Sequence, residues 1–293
     1  MKARYILLAV AALATQAFAG TPTIVAPAMD GTACKKTPML SCKRLSGSLT
    51  AGYATNYVCR GMVASHALVQ GDSVEKVGVD LSYDIGRKGF FTIENSTSYT
   101  AISSGHKMLG VPEVNFDNEF VVETSLKYTR KYINASVGHQ LTHGGLLGAI
   151  AHNVHGQGAA VVNEAFVAVA VTPLKSLEVG IKASYAFDGL QGWWFEPYIR
   201  NTFTLVGSCE APKLQSVLTL GASATADFFN EHDANTNGVQ AVYVELALPW
   251  HVTKHLVLTP AVSFNWLGCG ATHTGDAYRN QGIVGSLSAT CVF

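Results

Sequence analysis

LEVGIKASYAF, residues 177–187, places Leu177, Val179, Ile181, Ala183, Tyr185 and Phe187 at alternate positions, with Glu178, Gly180, Lys182, Ser184 and Ala186 between them. Successive side chains of a β-strand point to opposite faces, so the stretch reads as a strand with one apolar and one polar face. A helix, with its period of about 3.6, would scatter the same residues around its circumference. The length matches the roughly 9–11 residues that a tilted strand needs to cross a bilayer.

Working outward, the same alternation marks twelve segments, near 45–57, 76–86, 90–102, 118–129, 132–142, 159–172, 177–187, 193–206, 214–228, 239–248, 256–267 and 282–293. In 256–267 one face carries Leu256, Leu258, Pro260, Val262, Phe264 and Trp266, whereas 159–172 is rich in small residues and apolar on both faces. The connections sort by length. The odd-numbered ones hold 18, 15, 16, 5, 10 and 14 residues, the even-numbered ones 3, 2, 4, 7 and 7. Short periplasmic turns alternating with longer external loops are the pattern of an outer-membrane barrel, and an even strand number returns the C-terminus to the periplasm. The expected fold is all-β: a transmembrane antiparallel up-and-down β-barrel of about 12 strands over residues 45–293.

Composition agrees. Of 293 residues only 14% are charged, 28 are glycine, and mean hydropathy is +0.21; an ordinary globular domain carries about 25% charged residues. Beyond residue 20 there is no run of roughly 20 apolar residues that would make a transmembrane helix. The first 20 residues, MKARYILLAVAALATQAFAG, combine Lys2 and Arg4, an apolar middle from Tyr5 to Ala14, and Ala17-Phe18-Ala19. This is a signal peptide, residues 1–19, cut after Ala19. Residues 20–44 then form a periplasmic N-terminal segment or a lumen plug. Removing Lys2 and Arg4 takes the formal net charge from 0 to −2, which gives no reason to expect a nucleic-acid partner.

Charge and aromatic placement give the barrel an inside and two rims. Asp80, Asp84, Glu94, Glu119, Glu123, Glu164, Glu178, Glu196, Asp227 and Glu245 fall on the polar faces, as do Lys76, Lys127, Lys182 and Arg200. A lipid-facing Lys or Arg at mid-depth costs roughly 2–4 kcal/mol, so these charges are expected to line the lumen. On the apolar faces, Tyr57, Tyr99, Phe120, Tyr185, Phe187, Trp193, Phe195, Phe228, Phe264 and Trp266 fall toward one end of the strands. Tyr83, Phe91, Tyr128, Phe203 and Phe293 fall toward the other, with Trp250 just beyond its strand. Two aromatic belts flanking an aliphatic band are the interfacial girdle of a membrane barrel.

Two resemblances add to this. The chain ends in SLSATCVF with Phe293 terminal, and so resembles the C-terminal strand of outer-membrane barrels. That likeness implies that Phe293 is read by the barrel assembly machinery. LSGSLTAGYATNYVCRG (Leu45 to Gly61), followed after a loop by VGVDLSYDI, is similar to the opening of TorF-type porins, with Tyr57-Val58-Cys59-Arg60-Gly61 as an aromatic-x-x-Arg-Gly motif. It covers roughly forty residues and implies a barrel.

Sites are sparser. Ten lumen acids against four bases favour cations and neutral solutes if the lumen is open; twelve strands lie between filled small barrels and water-filled large ones. The competing reading is a closed internal network, for example Glu178 with Lys182 or Glu196 with Arg200. His66, His106, His143, His152, His155, His232 and His273 fall in the longer connections, and no tight ligand spacing among them predicts a metal site. His139 is the one strand histidine on an apolar face, with Asn163 expected beside it; the neighbouring Gln140, Leu141 and Thr142 offer no serine nucleophile.

Six cysteines enter an oxidising compartment, and six allow 15 connectivities. Cys59 and Cys269 fall on the outer side, Cys34, Cys42, Cys209 and Cys291 on the inner. A bridge cannot span the membrane, because its Cα atoms must lie within about 7 Å. The expectation is Cys59 with Cys269, and Cys34 and Cys42 with each other or with Cys209. Cys291 shares the apolar face with Phe293 and is left unassigned.

The expectation is a porin-like barrel in a bacterial outer membrane, with no enzyme activity and no cofactor, passing small polar solutes passively. Its partners would be the lipid bilayer, lipopolysaccharide and the assembly machinery. A non-conducting barrel whose external loops bind a partner or surface is the alternative, and a membrane-bound hydrolase a lesser one.

Overall fold

Alternation along one strand becomes a two-faced wall only when neighbours pair in register, and here every long strand pairs with its neighbours in sequence. The computed structural model describes residues 44–56, 58–60, 62–63, 73–85, 90–102, 118–145, 147, 161–188, 190–208, 211–227, 237–267 and 282–293. The expected signal peptide and nearly all of segment 20–44 lie outside these residues. The long strands are β1 (Leu45–Ala54), β2 (Val74–Asp84), β3 (Phe91–Ile102), β4 (Glu119–Arg130), β5 (Ile133–His143) and β6 (Val161–Leu174). They continue as β7 (Leu177–Asp188), β8 (Gly192–Gly207), β9 (Pro212–Ala226), β10 (Gly238–Ala247), β11 (Leu256–Leu267) and β12 (Gly282–Val292). Beyond Leu248 and Pro249, Trp250–His251 resumes the course of β10 between β9 and β11.

All pairings are antiparallel, and β12 pairs with β1, so the sheet closes into a twelve-stranded barrel with no free edge. At the seam Ala51 faces Ala289 and Tyr53 faces Leu287. The terminal residue completes it: Phe293 N–H donates to the Gly47 carbonyl at 2.9 Å, and Gly47 N–H donates to the Phe293 carbonyl at 3.1 Å. One end of the barrel, the turn end, carries five connections of two to eight residues; at the other end one connection, between Asp188 and Gly192, is also short. The tightest are the two-residue turns Lys131–Tyr132 and Lys175–Ser176, and Lys131 takes a left-handed φ of 41°. The long connections all leave from the opposite, loop end.

The outer face is apolar. Val137, Val169, Ile181, Ile199, Leu220, Val262 and Leu287 are all exposed there. Burying none of these against protein is untenable in water but correct in lipid. Proline sits where the ladder tolerates it: the β8–β9 register passes from Phe195↔Ala224 to Tyr198↔Gly221, with a gap at Glu196-Pro197, because Pro197 has no N–H to give.

The first strand departs from expectation. Alternation suggests it continues to 57, yet β1 stops at Ala54, where Thr55 N–H bonds the Gly285 carbonyl at 2.9 Å and the chain turns inward. Val58–Cys59 and Met62–Val63 then pair as a small hairpin, packed against β11.

The barrel lumen as candidate functional site

Strand register decides which lumen charges meet. Cross-strand neighbours stand about 5 Å apart, whereas residues i and i+4 on one strand are roughly 13 Å apart. The expected same-strand pairs are accordingly absent. Glu178 pairs with Arg200, its register partner, at 3.2 Å and also accepts from Tyr198 Oη at 2.9 Å. Lys182 Nζ reaches Glu123 Oε2 at 2.8 Å and Gln140 Oε1 at 3.0 Å, and lies 4.2 Å from the Phe166 ring centroid. Gln140 in turn donates to Glu164 Oε2 at 3.4 Å. A polar ladder thus runs across β4, β5, β6 and β7.

Elsewhere on the wall, Asp80 accepts from Ser48 Oγ at 2.9 Å and from Ser96 Oγ at 2.6 Å. Asp84 accepts from Thr92 Oγ1 at 3.1 Å, and Lys127 meets Glu94 at 3.2 Å. Half-buried Glu196 stands in register with Lys182, and Glu245 is buried between its register partners Thr219 and Ser263. The charges from Asp80 to Glu245 all lie on the half-buried or buried faces of their strands. Asp227 does not: it ends β9 in a turn, exposed, with a left-handed φ of 56°.

The lumen is unevenly accessible. Near the turn end Ser82, Glu94, Lys127, Glu178, Thr202 and Thr204 are half-buried. Near the loop end Val74, Thr100, Val162, Glu164, Ser184, Trp194, Ser223 and Gln240 are 0–1% exposed. The hairpin belongs to this closed half. Val58, Cys59 and Arg60 are buried, and the Arg60 guanidinium forms an ion pair with Glu164 and lies 4.8 Å from the Trp194 ring centroid. In the sequence Arg60 stands in the aromatic-x-x-Arg-Gly motif, which names no partner for it. Its partner is 104 residues away, and nothing local signals such a contact.

Inward aromatic rings lie against glycines of the adjacent strand: Phe166 over Gly138, Tyr198 over Gly180, Tyr243 over Gly221. On the outer face the predicted belts form contacts. Toward the loop end Tyr99 faces Phe120 in register, Tyr185 and Trp193 rings are 5.0 Å apart, and Phe264 and Trp266 rings 4.1 Å. Toward the turn end Phe91 and Tyr128 are 5.0 Å apart, with Tyr83, Phe203 and Phe293 exposed. Tyr57 and Phe228 lie outside the described residues.

His139 Nε2 is 3.1 Å from Asn163 Oδ1, and Asn163 Nδ2 donates to Asp188 at 3.0 Å, on the outward face. The residue in register with His139 on β4 is Thr124, whose hydroxyl accepts from Asn95 Nδ2 at 2.9 Å. A base with its orienting group is present there, but among the described residues no serine stands beside it. Of the loop histidines only His143 is described, and among the described residues no His, Cys, Asp or Glu cluster suits a metal ion. Cys59 corrects an expectation: it is a free, buried thiol, not bridged to Cys269. Burial, reinforced by the Glu119 carboxylate, pushes that thiol far up, so it stays protonated. Cys291 is also free; Cys34, Cys42, Cys209 and Cys269 lie outside the described residues.

No family model matches the chain, and no curated protein matches it. Solved structures do. A KdgM porin superposes with a TM-score of 0.50 at 8% identity, over 84% of this chain and 99% of that one. An outer-membrane channel from Pseudomonas putida F1 gives 0.49 at 11%, over 85% and 95%, and a NanC porin gives 0.46 at 13%, over 84% and 98%. At such identity the KdgM likeness is one of fold: an outer-membrane porin-type barrel spanning nearly the whole of that chain.

Proposed function

We propose that the chain is a porin-like channel of a bacterial outer membrane, passing small polar solutes passively and leaning toward cations, without chemistry of its own. One observation carries this reading: a closed barrel with a lipid-compatible outside has an inward wall of excess negative charge. Asp80, Asp84, Glu94, Glu119, Glu123, Glu164, Glu178, Glu196 and Glu245 face Lys76, Lys127, Lys182 and Arg200, with Arg60 added from the hairpin. Among the described residues, nine acids against five bases leave a net of −4, and a low-dielectric tube concentrates counter-ions of the opposite sign. The rings laid on Gly138, Gly180 and Gly221 support passage too, since a ring flat on the wall takes less of the bore than one aimed at the axis.

The same reading includes a signal peptide cleaved after Ala19, lipopolysaccharide around the outer rim, and Phe293 as the handle for assembly. The TorF-type likeness of Leu45–Gly61 points the same way. The buried loop end favours a second reading, a non-conducting barrel whose loops meet a partner. Planar-bilayer recording of refolded protein across a KCl gradient separates them. Cation-selective conductance is expected; a chloride-favouring reversal potential overturns the selectivity, and absent conductance overturns the channel.

A further inference from the structure

We infer that the hairpin Val58–Val63 is a latched constriction of the channel's loop-end mouth, and that the Arg60–Glu164 ion pair is the latch. The inference deepens the channel reading and rests on it for its consequence; the latch itself stands on contacts alone. Three observations converge. First, the chain leaves the wall early: β1 ends at Ala54, and Val58, Cys59 and Arg60 are all buried, although a connection between two barrel strands ordinarily lies in solvent. Second, Cys59 pairs with Met62, which puts Arg60 in a tight hairpin turn with the left-handed φ of 50° that such a turn requires, so the segment is a defined element rather than a loose connection. Third, the groups that hold the hairpin in the lumen are identifiable. The guanidinium meets a carboxylate on β6 whose side chain is 0% exposed, and packs against Trp194 of β8.

Glu164 is well placed for the role, because it also terminates the wall ladder. Gln140 donates to Glu164 and accepts from Lys182, which pairs with Glu123. The hairpin is therefore tied to four successive strands through one carboxylate. Val58–Val63 and Cys59–Met62 pairing stiffens it, so it moves as one body once the tie is cut. The hairpin's departure would uncover the most occluded part of the lumen. Removing the Glu164 charge takes a buried counter-charge away from the Arg60 guanidinium, which makes the inserted position less favourable.

Cys59 reports on the latch directly. The full mature chain, with Cys34, Cys42, Cys209, Cys269 and Cys291 changed to serine, is refolded and treated with a small maleimide; heat-modifiable electrophoretic mobility verifies the barrel. Cys59 is expected to react slowly. Glu164→Gln should raise its rate by about tenfold or more, as should Arg60→Glu, and adding Glu164→Arg to Arg60→Glu should bring it back down. An unchanged slow rate in folded Glu164→Gln overturns the latch. Single-channel conductance of the same preparations is the second readout, expected to rise in Glu164→Gln. A reactive Cys59 with no conductance in any variant would uphold the latch and sink the channel. A protected Cys59 in a conducting Glu164→Gln barrel would sink the latch and uphold the channel.

Discussion

Tyr198 shows how much of this barrel is decided by single contacts. Its ring lies over Gly180 on the adjacent strand, its hydroxyl is committed to Glu178, and Arg200 stacks beside it. A Cβ at Gly180 would sit 2.6 Å from the ring. The ring could move away only by giving up the Glu178 bond. Gly180→Ala should therefore cost about 1–3 kcal/mol, the usual range for overpacking. Gly78→Ala on β2, where the nearest atom would be 3.6 Å away, should be neutral or slightly stabilising, since alanine loses less backbone freedom than glycine. Urea-unfolding midpoints of the two refolded variants test this; equal midpoints would mean that Tyr198 is not pinned. Alternation in the sequence places both Gly180 and Tyr198 on the polar face but is silent on their meeting. That depends on the Tyr198↔Gly180 register, which two flanking strands and a turn set together.

At the level of the strand, what the sequence discloses is the face, because lipid imposes the pattern on every residue of a spanning segment at once. The test is a pair of arginines on neighbouring strands at similar depth. Val169→Arg points out of β6 into the apolar band, whereas Ser136→Arg points inward from β5. The first should lose roughly 2–4 kcal/mol of folding free energy in bilayer vesicles, and the second much less. Comparable losses would contradict the assigned faces. Strand β6 shows where this legibility fails and why. Its segment reads as apolar on both sides because Val162, Phe166 and Ala170 point inward where the lumen is packed rather than wet. The polar-inside rule holds only as far as water reaches. The Val58–Val63 hairpin was invisible for a related reason: its turn inward is stabilised by β6 and β8, a hundred residues on, and leaves no local periodicity. The pairing of Cys59 failed similarly. Placing it on the loop side was a matter of counting strands, but its withdrawal into the lumen was a matter of packing.

The whole molecule is asymmetric along its axis, and this follows from where the two kinds of connection leave it. Turns as short as Lys131–Tyr132 have no spare length to fold inward, and in the turn half Ser82, Glu94, Lys127, Glu178 and Thr202 stay half-buried while Val217 and Ala247 are packed. The loop end has chain to spare, and there the hairpin enters the bore above Glu164. A partly accessible turn half leading to a narrow, hairpin-filled mouth should show up as a gradient of chemical access. In a background without native cysteines, Ser82→Cys and Thr202→Cys line the turn half and are half-buried in the native protein, whereas Ser184→Cys and Ser223→Cys replace side chains that are 0–1% exposed. A charged maleimide reagent, which cannot cross the barrel wall, should modify the first pair at least about tenfold faster than the second, because modification of an occluded thiol waits on local opening. Combining the Ser184→Cys or Ser223→Cys reporter with Glu164→Gln should narrow that ratio, since uncovering the mouth exposes this part of the lumen first. Equal rates at all four positions in the native background would mean that the bore is uniformly wet, and the closed end would then have to be sought elsewhere than at the hairpin.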